Sequence, residues 1–278
     1  MTTLFASDLD RTLIYSAGAL QLGRPVAEPV LVEVYDGQPT SFADPAALAA
    51  LRPLADHVAF VPTTTRTRAQ YERIQLAGVR VEHAVTTNGA VLLVDGEPCG
   101  DWAAETVVRM RAGESYADVR RAAEGLWRHP WVLKVRDAEG VFFYAVVDPA
   151  LTPQGWYDEV AGVAAWGGWQ VSVQGRKVYL IPPGVTKEAA VAEVARRVGA
   201  ERVAAAGDSL LDRGMLVEAD LALRPSHGEL HEEGWSVPGL HVTRESGGPA
   251  ATEIVETVAR WSAAGAAVWS TVASDIGP

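Results

Sequence analysis

The chain has a single cysteine, Cys99, among 278 residues. That excludes an internal disulfide and any zinc cluster built on cysteine, and it fits a reducing compartment. Basic residues are also scarce, with 24 Lys and Arg against 35 Asp and Glu and a formal charge of −11. Without clustered cations, neither a nucleic-acid backbone nor an anionic membrane surface is an expected partner. No uninterrupted apolar run is long enough to cross a bilayer, and no basic segment followed by an apolar one opens the chain. A cytoplasmic location is the expectation. There is no internal repeat. The length and the 48% hydrophobic content suffice for one large domain, or for a core with a smaller unit inserted.

Short apolar runs that end in polar loops alternate with helical stretches, which is the pattern of a mostly parallel sheet. Strands are expected at Leu4 to Ser7, Val58 to Val61, around Ala84-Val85, at Arg202 to Ala206 and near Leu221 to Leu223. The turn signal Asp36-Gly37, between Val30 to Tyr35 and the segment around Phe42, predicts a β-flap over about residues 28–43. Asp44-Pro45 reads as the cap and first turn of a helix through Leu54, and a second helix is expected near Arg68 to Ala77. Between 93 and 182 the texture changes to alternating strands joined by tight turns, the mark of an antiparallel unit. Pro182-Pro183-Gly184 closes it, and Thr186 caps the next helix. The expected fold class is therefore α/β, a Rossmann-like, doubly wound, mostly parallel sheet in two parts, 1–92 and 183–278, around an inserted α+β module at 93–182.

The chemistry-bearing residues lie where strands end. In an open α/β sheet the reactive crevice sits at the carboxyl ends of the parallel strands. Directly after Leu4 to Ser7 come Asp8 and Asp10, two carboxylates two residues apart. Such a pair is tolerable if a divalent cation lies between its members or if one acid keeps its proton. Taken alone, a pair of this kind is more often an ordinary turn. Three further loops alter that judgement, for they offer the hydroxyl of Thr64, the amine of Lys187, and the acids Asp208 and Asp212.

In this order the four segments resemble the motifs of the haloacid dehalogenase (HAD) superfamily. Asp8-Leu9-Asp10-Arg11-Thr12 stands for the first, Thr64-Thr65-Arg66 for the second, Lys187 for the third and Gly207 to Asp212 for the fourth. The place of the inserted module, with Thr87-Asn88-Gly89-Ala90 and Ile181 to Lys187, is similar to the Cof-type, class IIB capped phosphatases. Sucrose-phosphate and mannosyl-3-phosphoglycerate phosphatases are of that kind. The resemblance implies a Mg²⁺-dependent phosphatase acting on a small phosphorylated metabolite. Asp8 would be the nucleophile, and Asp10 the acid and base, with a carboxyl pKa above that of a free Asp. Thr64 and Lys187 would hold phosphoryl oxygens, and Asp8, the Asp10 carbonyl, Asp208 and Asp212 would hold the metal. Arg66 and Asn88, beside the motifs, are expected to touch substrate. A phosphomutase on the same scaffold is the alternative, and a sensor without turnover a remoter one. Three residues depart from the family pattern: Arg11 and Thr65 where Gly is frequent, and Leu211 where Asn is.

Other features point to packing. The tryptophans of the inserted module suit its core more than stacking on a sugar ring or a base, and Lys134, Arg136, Arg176 and Lys177 could reach a second anionic group of a substrate but read rather as solvated strand faces. His227 and His231 stand four apart but lack the Glu that a helical zinc motif needs directly after the first His.

Overall fold

The computed structural model describes residues 2–275; residue 1 and residues 276–278, at the outer ends of the two expected core parts, lie outside the described residues. β1 (Thr3–Ser7) leads past the single-turn helix α1 (Ala17–Leu20) to the hairpin of β2 (Val30–Tyr35) and β3 (Gln38–Ala43). Then follow α2 (Pro45–Ala55), β4 (Ala59–Pro62), the short α3 (Arg68–Tyr71) and β5 (His83–Thr86). β6 (Val91–Val94) folds back antiparallel on β5, β7 (Glu97–Pro98) pairs antiparallel with β6, and α4 (Gly100–Met110) follows. The inserted unit contains α5 (Tyr116–Ala122), β8 (Val132–Ala138), β9 (Phe142–Val147), α6 (Gln154–Gly167), β10 (Gln170–Gln174) and β11 (Lys177–Ile181). The core resumes with α7 (Lys187–Val198), β12 (Arg202–Ala206), α8 (Arg213–Glu218), β13 (Leu221–Arg224), α9 (Glu229–Glu232), β14 (His241–Val242) and α10 (Gly248–Asp275).

The central sheet is parallel, in the order β14-β13-β12-β1-β4. Side chains of β1 alternate between its two faces as the pleat demands. Phe5 packs with α2 and α10 on one side, while Leu4 and Ala6 pack with α7 and α8 on the other. Each large apolar side chain fully buried in this way contributes about 1.5–3 kcal/mol. The inserted unit has its own antiparallel sheet, β10-β11-β9-β8, covered by α5 and α6 around Phe142, Phe143 and Trp156.

Two expectations shift. The helix expected over Arg68 to Ala77 stops at Tyr71, because the chain turns so that the Gln75 N–H can donate to the Val32 carbonyl at 2.8 Å and tie down the flap. The boundary expected at 93 falls within core packing. Leu92 and Trp102 share a cluster with Leu4, Val61 and Ala190, and the Trp102 indole donates to the Gly89 carbonyl at 2.9 Å. Among the inserted helices and strands, the first residue of the separate cluster is Val119.

Candidate active site

Parallel register brings remote loops to one rim. Ser7 lies opposite Ala206 on one side and Pro62 on the other, so Asp8, Thr63 and Gly207 leave the sheet together at its carboxyl edge. Lys187 arrives as the first residue of α7, behind the Thr186 cap. The Asn88 amide donates to the Val185 carbonyl at 3.0 Å. Gly89, at φ +99, lets the two loops touch, since a Cβ there would lie 2.1 Å from the Thr186 oxygen.

The result is a buried knot of charge. The Lys187 ammonium, 1% exposed, donates to Asp8 Oδ1 and to Asp212 Oδ1, each at 2.6 Å. The other oxygen of Asp212 accepts from the backbone N–H groups of Asp208 and Ser209 and from the Ser209 hydroxyl, at 3.1, 2.9 and 2.8 Å. Burial disfavours charge on Lys187, but Asp212 and Asp8 outweigh it and hold the ammonium above its ordinary pKa. The Asp8 carboxyl is pushed up to about 7, mostly by burial, against the pull of Lys187 and with the repulsion of Asp212 and Asp10. Burial, Asp8 and Asp212 raise Asp208 as well.

Asp8, Asp208 and Asp212 each offer a carboxylate oxygen, and these three atoms lie within 4.8 Å of one another. One ammonium cannot balance three buried carboxylates. The contact to Asp208 given by the nearest cation is Arg11 Nε, at 3.5 Å. Gly228, at φ +89, leaves the space beside that carboxylate open, for a Cβ would stand 2.5 Å from Asp208 Oδ2. Hard oxygen donors, excess negative charge and a space kept clear of side chain together fit a divalent cation. Asp8 and Asp208 keep oxygens free that could hold one. Asp212 is largely committed to other donors, so its expected part in metal binding reduces to one free lone pair or a bridging water.

Asp10 departs from expectation. Arg66 grips it bidentately, Nε to Oδ2 at 2.7 Å and Nη2 to Oδ1 at 2.8 Å. Burial raises its pKa, but the guanidinium more than compensates and the carboxyl sits below its ordinary value. An acid with a raised pKa was expected; in this conformation Asp10 is an ionised acceptor.

Three residues expected at the substrate make their contacts within the protein. Each of Arg66's three guanidinium nitrogens donates within the protein, to Asp10, Glu33 or Ser41. Asn88 is buried behind the Lys187 loop. Thr64 is fully buried, and its hydroxyl oxygen accepts the Arg66 N–H at 3.1 Å, closing the turn. The cavity over the site, about 290 Å³, is lined instead by Asp8, Asp10, Arg11, Thr65, Lys187 and Asp208 from the core, and by Gln174, Gly175 and Lys177 from the turn between β10 and β11. Lys177 had read as a solvated strand face. Its place at the cavity depends on the inserted unit folding over the core, which a strand pattern does not reveal. The Arg11 departure also has an account. Arg11 takes φ +64, the region glycine favours. His227 accepts the Gly247 N–H on Nδ1 at 3.2 Å and therefore donates from Nε2 to the Arg11 carbonyl at 2.7 Å, which secures the loop. His231 faces Arg224 instead, so the two histidines share no site.

Known structures of similar architecture decide the fold. The sucrose-phosphatase of Synechocystis sp. PCC6803, solved with sucrose and phosphate, superposes with a TM-score of 0.64 at 16% identity, covering 94% of this chain and 98% of that one. The fold is that of the HAD phosphatases. A HAD subclass IIB sugar phosphatase gives 0.55 at 14% identity over 87% and 93% of the two chains. A HAD superfamily phosphatase from Bacteroides thetaiotaomicron gives 0.55 at 14% over 92% and 95%. No family model and no curated protein matches the sequence. The turn between β10 and β11 of the inserted sheet reaches the cavity beside the charged knot. Among the described residues no helix is long and apolar enough to cross a membrane.

Proposed function

We propose that the chain is a Mg²⁺-dependent phosphomonoesterase that hydrolyses a small phosphorylated metabolite, a sugar phosphate first of all. One observation carries the reading: a buried carboxylate at the end of β1, Asp8, lies 2.6 Å from an ammonium and faces a polar cavity beside two further carboxylates. A lining of hydroxyl, amide, ammonium and guanidinium groups suits a polyhydroxylated ester.

In this reading Asp8 attacks phosphorus, the ester P–O bond breaks, and the leaving oxygen takes a proton from Asp10. Asp10 then removes a proton from the water that hydrolyses the aspartyl-phosphate, releasing inorganic phosphate. Asp10 must first release one oxygen from Arg66 and be protonated; the negative phosphoryl group arriving beside it favours both. Lys187 neutralises charge next to the nucleophile and keeps Asp8 from rotating away. A cation held by Asp8 and Asp208, with Asp212 behind them, would supply positive charge to the phosphoryl oxygens when bound.

The test is phosphate release from a panel of hexose phosphates and from p-nitrophenyl phosphate, with Mg²⁺ and with Asp8→Asn as control. Free phosphate from the wild type, lowered by about 10³-fold or more in the variant, supports the reading. An isomeric ester without phosphate would make the protein a mutase. No turnover of any ester, or undiminished turnover by Asp8→Asn, would overturn it.

A further inference from the structure

We propose that Glu33, on the flap hairpin and outside the reacting groups, is the positioning residue for Asp10, acting through Arg66. Glu33 sits in β2 where regular pairing with β3 breaks, with register shifts on both sides of it. A bulge re-aims a side chain. Here Val32 and Glu33 are both buried, against the alternation a regular strand would keep, and Glu33 is 2% exposed. A two-stranded hairpin has little core of its own, and an apolar residue would suit a buried position better on stability grounds alone.

The buried carboxylate is fully engaged. Its Oε2 accepts from the Ser41 hydroxyl at 2.6 Å and from Arg66 Nη1 at 2.9 Å, and its Oε1 accepts from Arg73 at 3.1 Å. The guanidinium is planar and rigid, so fixing Nη1 fixes the plane. The edge formed by Nε and Nη2 then lies against Asp10 and meets both its oxygens. Ser41, from the second strand of the hairpin, also accepts from Arg66 Nη2 at 3.3 Å. Two arginines and two carboxylates balance in charge. The hairpin is in turn stitched to the loop that carries Asp10, through paired hydrogen bonds between Tyr15 and Phe42 at 2.7 and 2.8 Å. The orientation of the acid is thus set from outside the cavity by the flap.

This inference rests on the phosphatase reading for its kinetic consequence. The experiment compares kcat/KM for phenyl phosphate, whose leaving oxygen needs a proton, with that for p-nitrophenyl phosphate, whose leaving group departs unaided. General acid help is worth about 10²–10⁴-fold. Glu33→Gln is expected to lose about tenfold or more on phenyl phosphate and less than about threefold on p-nitrophenyl phosphate. Ser41→Ala, which removes one support of Glu33 and leaves its charge, should fall between wild type and Glu33→Gln in the same ratio. Equal losses on both esters would assign Glu33 a merely structural role and refute the proposal. A second readout needs no turnover. The Arg66 Nε–H, held by Asp10, should give a slowly exchanging NMR signal that Asp10→Asn and Glu33→Gln both weaken. A signal unchanged in Glu33→Gln would overturn the positioning role even if the protein hydrolyses no ester, whereas a weakened signal without turnover would uphold it and defeat only the phosphatase reading.

Discussion

The charge at Asp8 makes a prediction about stability that is independent of substrate. Asp8 rises from the ordinary 3.8 to about 7 in the folded protein. The folded state therefore binds a proton that the unfolded chain releases between about pH 4 and pH 7. Stability linked to this group is greatest below pH 4, falls as pH rises through that window, and is flat above 7. At about 1.4 kcal/mol per pH unit the full loss approaches about 4 kcal/mol. Asp8→Asn keeps the shape and removes the charge, while Lys187 retains Asp212 at 2.6 Å. The variant should match the wild type near pH 4 and exceed it by about 2–4 kcal/mol at pH 8 in metal-free buffer. Urea melts at pH 4, 5.5 and 8 in the presence of EDTA measure this directly. A remote acid with the opposite shift, such as Glu193, is common to both proteins and cancels in the difference, while relief of the repulsion between Asp8 and Asp208 works in the same direction as the loss of the Asp8 charge. Added Mg²⁺ should then narrow the gap at pH 8 by stabilising the wild type more than the variant. If Asp8→Asn is instead the less stable protein at pH 8 by more than about 1 kcal/mol, Lys187 already balances Asp8 and no excess negative charge is left to draw a cation.

Three more outcomes follow from the same geometry. Gly228→Ala should cost about 1–2 kcal/mol for its φ of +89 and, by pushing on Asp208, raise the Mg²⁺ concentration needed for half-maximal turnover about tenfold or more, read by metal titration. Lys177→Ala should raise KM about tenfold with kcat within about threefold, because its ammonium lines the cavity without touching the Asp8 cluster; a fall in kcat alone would contradict that placement. Asn88→Ala leaves the Val185 carbonyl without its donor, and should cost about 1–2 kcal/mol in a urea melt while lowering kcat through the Lys187 loop.

Much of this was legible before any coordinates. Acids and the lysine at strand and helix termini are local signals, so Asp8, Lys187, Asp208 and Asp212 could be named from the chain and are found together. Less legible were residues whose roles depend on a neighbour far away in sequence. Thr64, Arg66 and Asn88 lie at the expected loop positions, but each donates or accepts within the protein, and nothing in a run of threonines tells which hydroxyl turns inward. The region after 93 shows the same dependence: its texture changes in the sequence, while Trp102 packs with Leu4 and Val61.

By itself, then, the amino-acid sequence determined the alternation of strands and helices, the antiparallel insertion, and the chemical types gathered at the rim. Those follow from apolar periodicity and from the short range of capping and turn preferences. Only the tertiary structure decided which groups reach the cavity. The bulge that turns Glu33 inward, the Arg66 grip on Asp10, and the fold-over that brings Lys177 above the core all depend on packing between segments tens of residues apart, where no local pattern carries the information.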